Sequence, residues 1–284
     1  ELEPLDGGGL RLGGIGPPRD LELAGDRTYT SHDGRTRLVR RSYRTPDLAA
    51  HLGERRHAGA ALSPGGRDHL RPLAPDIEWL LPFELVRGGP AEDSPEWADA
   101  TEFVFAAGID YRRKTLVELV EAVATTGQEI VVVGGTREED FEADPNVRKL
   151  REEIAEHGLG GHIHITGHLE HGAFLDRVSR ARFLLPLVDD LRDAGAYRTR
   201  LPAAVLLSLG FGVPMILDEN LARRLGLEMM ITYGEGELAN ALDRARALDA
   251  SAYRDLRAAV ARRASELRRR NRSTLEAILE RILG

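Results

Sequence analysis

Tyr197-Arg-Thr-Arg-Leu-Pro-Ala-Ala-Val-Leu-Leu-Ser-Leu-Gly-Phe-Gly-Val-Pro-Met-Ile-Leu-Asp218 holds a helical run that ends in Gly-x-Pro directly ahead of an apolar strand. A helix placed this way between two strands presents its first backbone N–H groups at the rim of a sheet, where a phosphate can dock.

The sequence upstream repeats that grammar. Phe103-Val-Phe-Ala-Ala107 predicts a short buried strand, and Leu116, Leu119, Val120 and Val123 follow at helical spacing. Glu129-Ile-Val-Val-Val133 is almost uniformly apolar, as a parallel strand covered on both faces should be, and it ends in Gly134-Gly135. A helix over 146–157, a strand at Ile163-His-Ile165, a helix over 174–180 and a strand at Phe183-Leu-Leu-Pro-Leu187 come next. The helix 202–210, the strands Met215-Ile-Leu217 and Met229-Met-Ile-Thr232, and closing helices from Glu235 complete the series. Strands alternating with helices predict a doubly wound α/β sheet.

Residues 1–97 read differently. Gly, Pro and Arg clusters such as Gly13-Gly-Ile-Gly-Pro-Pro18 punctuate this part, and long regular elements are expected to be scarce. Asp33-Gly34 between two β-branched runs is a hairpin signal, although His32-Asp33 also admits an active-site pair. Ala60 to Phe83 reads as strand, short helix, strand, the tail of an α/β domain. The acidic, proline-containing stretch 92–98 reads as a linker, which gives an N-terminal α/β domain over 1–97 and a second domain over 98–284.

Composition narrows the function. The chain has 284 residues, 42% of them hydrophobic, enough for two cores. It has no cysteine, which excludes disulfides and thiolate-bound metal, and no apolar run near the roughly 20 residues that span a bilayer. A net charge of −7 argues against nucleic acid as a partner. A cytoplasmic protein is expected. The first Met is Met215, which suggests a processed or truncated chain in which an N-terminal signal would not be visible. Lys114 and Lys149 are the only lysines among 39 basic residues, a bias expected of a GC-rich genome.

Five motifs in order carry a resemblance: Ala106-Ala-Gly-Ile-Asp-Tyr-Arg-Arg-Lys114, Val131-Val-Val-Gly-Gly135, Ile165-Thr-Gly-His168, Leu184-Leu-Pro186 and Leu209-Gly-Phe-Gly-Val-Pro214. Their order and spacing resemble the C-terminal donor-binding domain of bacterial GT-B-fold glycosyltransferases of the group 1 type. The resemblance implies two Rossmann-like domains with parallel sheets, the N-terminal one reduced or incomplete here. It implies transfer of a sugar from a nucleotide-diphosphate sugar to an acceptor that the sequence leaves open: a glycan, lipid, protein or small molecule. No cofactor and no essential metal are implied.

On that resemblance Arg113 and Lys114 neutralise the donor diphosphate, since a cation stabilises charge growing on the leaving group. A basic first helical turn, unfavourable to the helix dipole, would also call for an anion. Gly135 would allow close backbone approach to the donor, and Arg198, Thr199 and Arg200 would lead the phosphate-facing helix. Alternatively, Arg198 and Arg200 pair with Asp189, Asp190 and Asp193. The sequence departs from many retaining members at two positions, where Thr199 and Leu207 replace glutamates. That departure keeps open a non-catalytic, glycosyltransferase-like binding protein, with a nucleotide-sugar epimerase as a further alternative.

Other signals are weaker. His162 and His164 share a strand face, with His168 or His171 as a third metal ligand, against the plainer reading of surface or satisfied core histidines. Gly-x-Gly-x-x-Gly is not completed after Gly134-Gly135, and the N-terminal glycine clusters lack a Gly-Lys-Ser/Thr ending, which disfavours NAD chemistry and ATP hydrolysis. The basic stretch Ala261–Ser273 reads either as a peripheral membrane contact at the inner face or as a solvated helix packing through Leu267, Leu275, Ile278 and Leu279.

Overall fold

The computed structural model describes the backbone of strands in 2–5, 9–12, 22–30 and 37–44, and residues 60–61, 64–72, 76–81, 83, 100–134, 141–188 and 201–283. The chain divides into two compact units, Glu1–His57 and Ala58–Gly284.

In the first unit, strand β1 (Leu2–Leu5) pairs antiparallel with β2 (Gly9–Leu12), and β3 (Glu22–Thr30) pairs antiparallel with β4 (Arg37–Arg44). The last pair is nine and eight residues long, so regular structure here exceeds what the Gly/Pro punctuation suggests. Thr30 pairs with Arg37 at the end of the ladder; His32, Asp33 and Gly34 lie outside the described residues.

The second unit opens with β5 (Ala60–Ala61), α1 (Pro64–Leu70) and β6 (Glu78–Trp79), the two strands parallel, as the strand-helix-strand reading expects. The main sheet follows: β7 (Phe103–Ala106), β8 (Ile130–Val133), β9 (Ile163–Ile165) and β10 (Phe183–Leu184), all parallel, in the order β10-β7-β8-β9. A parallel bridge from Leu184 to Met215 leads from β10 to β11 (Ile216–Asp218), which pairs with β12 (Ile231–Tyr233). Numbered from β7, the strands run 3-2-1-4-5-6, the doubly wound order.

Side-chain alternation explains why both faces are covered. Val104, Ala106, Val131, Val133, Leu184 and Leu217 enter one apolar cluster, while Phe103, Phe105, Ile130, Val132, Phe183 and Ile216 enter another. Helices α2 (Leu116–Thr126), α3 (Pro145–Glu156) and α7 (Leu238–Arg246) pack on the second cluster. Residues of α4 (His171–Ser179), α5 (Ala203–Phe211), α6 (Glu219–Leu225) and the long α8 (Ala250–Leu283) fill the first.

Several boundaries differ from expectation. The strand expected over 183–187 pairs only at Phe183–Leu184, because Pro186 lacks an N–H and Leu187 takes a left-handed φ of 47°. β12 starts at Ile231, since Met230 closes a turn onto Leu227. Pro202 caps α5 with extended backbone and is not yet helical. Gly212 ends α5 in the left-handed conformation, and the Ser208 hydroxyl donates to Val213 O at 2.6 Å, so the Gly-x-Pro signal marks a true helix stop.

On α8, Leu267 is buried, whereas Leu275 and Leu279 are exposed, which corrects the expected packing at those two residues. Asn271, also buried, bonds the backbone of Leu81 just after β6. Arg270 stacks over Trp79 and Arg268 over Phe83. No helix among the described residues is long and apolar enough to cross a membrane.

Candidate functional site

At the centre of the sheet, β7 and β10 are neighbours, yet the chain leaves them toward opposite edges. In open α/β sheets the crevice beyond the carboxyl ends of such a strand pair is where ligands bind. Three segments meet there: 107–115 after β7, Gly134 after β8, and 185–188 after β10.

The 107–115 segment is held from two sides. The Thr115 amide donates to Leu187 O at 3.1 Å and the Lys114 ammonium to Pro186 O at 2.8 Å, so two successive residues grip two successive carbonyls. Leu187 adopts its left-handed φ at this grip, a strained conformation of the kind that collects at functional sites. On the far side, the Tyr111 hydroxyl donates to Glu153 of α3 at 2.6 Å, Lys149 lies 4.2 Å from the Tyr111 ring centre, and Asn146 accepts the Tyr111 amide at 3.4 Å. Asp144 in turn fixes the start of α3 by accepting from the amides of Asn146 and Val147.

Gly134 explains the close approach of β8 to this segment. Its φ is 120°, and a Cβ there would stand 2.8 Å from Ala107 O. The close approach at Gly134 is made to the protein's own chain; Gly135, the residue expected to allow close approach to a donor, lies outside the described residues.

Arg112, Arg113 and Lys114 are not in the first turn of α2. The helix starts at Leu116 after Thr115, and its first turn carries Glu118, so the expected clash with the helix dipole does not arise. Asp110, buried, holds the first two of these residues, Arg112 and Arg113: its Oδ1 accepts the Arg112 amide at 3.0 Å and its Oδ2 accepts Arg113 Nε at 2.5 Å. Burial pushes the Asp110 carboxyl up, but the Arg113 and Arg112 hydrogen bonds and the two guanidinium charges outweigh it and hold the group below the usual carboxylate range. Burial pushes Lys114 down from 10.5 to about 8; Arg113 adds to this and Asp110 partly offsets it. Thr115, 6% exposed, holds its hydroxyl oxygen buried without a hydrogen-bond partner, at the N-terminus of α2.

Of the residues singled out by sequence, Arg113 and Lys114 stand together at this crevice. Gly135, Arg198, Thr199 and Arg200 lie outside the described residues, as do Asp189, Asp190 and Asp193. Leu207 is buried in the apolar cluster beneath α5. Asp110, Thr115 and Tyr111 escaped the sequence reading; an acid two and three residues ahead of a basic pair, able to bend back on it, is the one signal that pointed to Asp110. His162, His164, His168 and His171 do not gather, and no group of three or more His, Asp or Glu suited to a metal occurs among the described residues.

No protein-family profile matches the chain, and no curated protein matches it. Solved structures do. A glycosyltransferase from Rickettsia africae superposes with a TM-score of 0.57 at 14% identity, over 84% of this chain and 68% of that one. HepE of Anabaena, solved with UDP, gives 0.55 at 12% identity over 78% of this chain. Sucrose-phosphate synthase from Thermosynechococcus elongatus gives 0.54 at 20% identity over 73%. The chain spans 63% of the length of HepE and 53% of that of the synthase. In fold, with its parallel doubly wound sheet, this chain is similar to the GT-B glycosyltransferases.

Proposed function

We propose that the protein is a glycosyltransferase that takes a sugar from a nucleotide-diphosphate donor, with Lys114 and the N-terminus of α2 facing the diphosphate and no metal required. The observation that carries this reading is Lys114, drawn out of water and fixed by Pro186 O at the switch point of the sheet. HepE is solved with UDP and with UDP-glucose, which supports a nucleotide sugar as the ligand class. Sugar transfer to a hydroxyl acceptor forms a bond from the anomeric carbon to the acceptor oxygen and breaks its bond to the diphosphate, which leaves as an anion, while the hydroxyl proton passes to a base or to that leaving diphosphate. A cation already held in a partly dehydrated position stabilises that anion without reorganisation. The orphan hydroxyl of Thr115 and the first amides of α2 offer donors for the same phosphates.

A second reading, binding without transfer, is favoured by Leu207, whose burial in the core leaves no carboxylate at that position to grip a ribose. The test is a thermal-shift and calorimetric screen with UDP, GDP, ADP, TDP and their sugars, with and without Mg²⁺, followed by a donor-hydrolysis assay on the binder. Metal-independent binding with release of nucleoside diphosphate is expected. Binding without turnover supports the second reading, and no binding removes both.

A further inference from the structure

An acid at a site for phosphate is out of place on charge alone, yet Asp110 is 8% exposed and both its oxygens are engaged inside the turn that leads into α2. The Arg113 amide also donates to the Asp110 carbonyl at 3.1 Å, so backbone and side chain of one residue close the same turn. Arg113 Nε lies 2.5 Å from the carboxylate, while Arg112 approaches only to 3.7 Å with a side chain 90% exposed. One of the two cations read from sequence is thereby committed to an ion pair.

We propose that Asp110 is a positioning residue of the donor site: its carboxylate fixes the 110–114 turn and takes up Arg113, making Lys114 the cation that meets the phosphates. This rests on the donor-site reading above. Within its own turn Lys114 has Asp110, Arg112 and Arg113 as charged neighbours, with Glu118 one helical turn on. From the opposite segment it meets Pro186 O, and from β7 the Phe105 ring at 5.8 Å; 185–188 carries no titratable side chain. Asp110 opposes the push of burial and Arg113 on Lys114, which stands at about 8 with that carboxylate in place.

The test uses the scarcity of lysine. With Lys114 and Lys149 as the only two, ¹³Cε-lysine labelling of the full chain gives two signals, and Lys114→Arg removes one to assign the other. Asp110→Asn keeps an oxygen to accept the Arg112 amide but deletes the charge. It should move the Lys114 titration midpoint to lower pH and weaken UDP binding at pH 8, roughly fivefold for a midpoint one unit lower. Arg113→Gln should move the midpoint upward, and the double variant should return it toward wild type. Lys149, 4.2 Å from the Tyr111 ring centre, reports in the same spectra whether the turn is still docked on α3. An unmoved midpoint in docked Asp110→Asn, with UDP binding intact, overturns the role of Asp110 and spares the donor site. If wild type binds no nucleoside diphosphate, the donor-site reading fails, and the role of Asp110 in it fails too.

Discussion

The Asn271 side chain bonds the backbone of Leu81 twice, accepting its amide at 3.2 Å and donating to its carbonyl at 2.7 Å. The amide thus does for Leu81 what a neighbouring strand would do, and it does so from a helix 190 residues away. Asn271→Ala leaves a buried N–H and C=O without partners and should cost about 2–4 kcal/mol. Urea unfolding of the full chain measures this. A loss within experimental error of zero would mean that water takes over both groups.

Gly134 and Gly212 both have positive φ, and they should respond differently to alanine. At Gly212 the nearest atom to an added Cβ is Arg257 Nη2 at 3.8 Å, so Gly212→Ala should cost only the conformational penalty of about 1 kcal/mol. At Gly134 the Cβ meets the Ala107 carbonyl at 2.8 Å as well, backbone against backbone. Gly134→Ala should therefore cost at least about 2 kcal/mol and displace the 107–115 segment. Equal melting temperatures in the two variants would contradict this.

Lys114 ties stability to pH in a direction that can be worked out. Its folded value of about 8 lies below the ordinary 10.5, so between those limits the unfolded chain binds more protons and stability rises with pH. Below pH 8 both states are protonated and the burial penalty is constant, with an upper bound of about 3 kcal/mol. Lys114→Met should stabilise the protein at pH 7 by about 1 kcal/mol net, because Pro186 O loses its partner, and the gain should vanish toward pH 10. Chemical denaturation of both proteins at pH 7 and 9.5 gives the comparison. The same variant should lose UDP binding.

Tyr111→Phe removes the hydroxyl that reaches Glu153 at 2.6 Å and leaves the ring under Lys149. About 1 kcal/mol of stability should be lost. If the turn is pre-organised for donor, UDP affinity should fall in parallel, and calorimetry on the two proteins separates that from an unchanged site.

The sheet was legible in the sequence because its signal is short-range. Phe103–Ala106 and Ile130–Val133 are bounded apolar runs buried on both faces, Ile163–Ile165 is a shorter run with His164 exposed, and the sequence pattern marks each to within a residue. The early end of β10 was legible only in part: Pro186 marks it locally, whereas the left-handed turn at Leu187 answers to Thr115 and Lys114, far away in sequence. Lys114 could be picked from its motif, but its dehydration depends on Pro186, and the pairing of Arg113 depends on a bend at Asp110 that composition does not announce. Similarly, the exposure of Leu275 and Leu279 breaks the apolar stripe of α8, because that helix packs through Val260, Ala264 and Leu267 and then turns its polar Asn271 inward.

The bond between Leu81 and Asn271 also sets a schedule for synthesis. Trp79, Leu81 and Phe83 leave the ribosome well before the part of α8 that covers them, and until then their apolar faces lack that cover. At about 5–20 residues per second, 190 residues represent roughly 10–40 seconds of waiting. For that interval Trp79, Leu81 and Phe83 carry apolar surface that the finished unit hides.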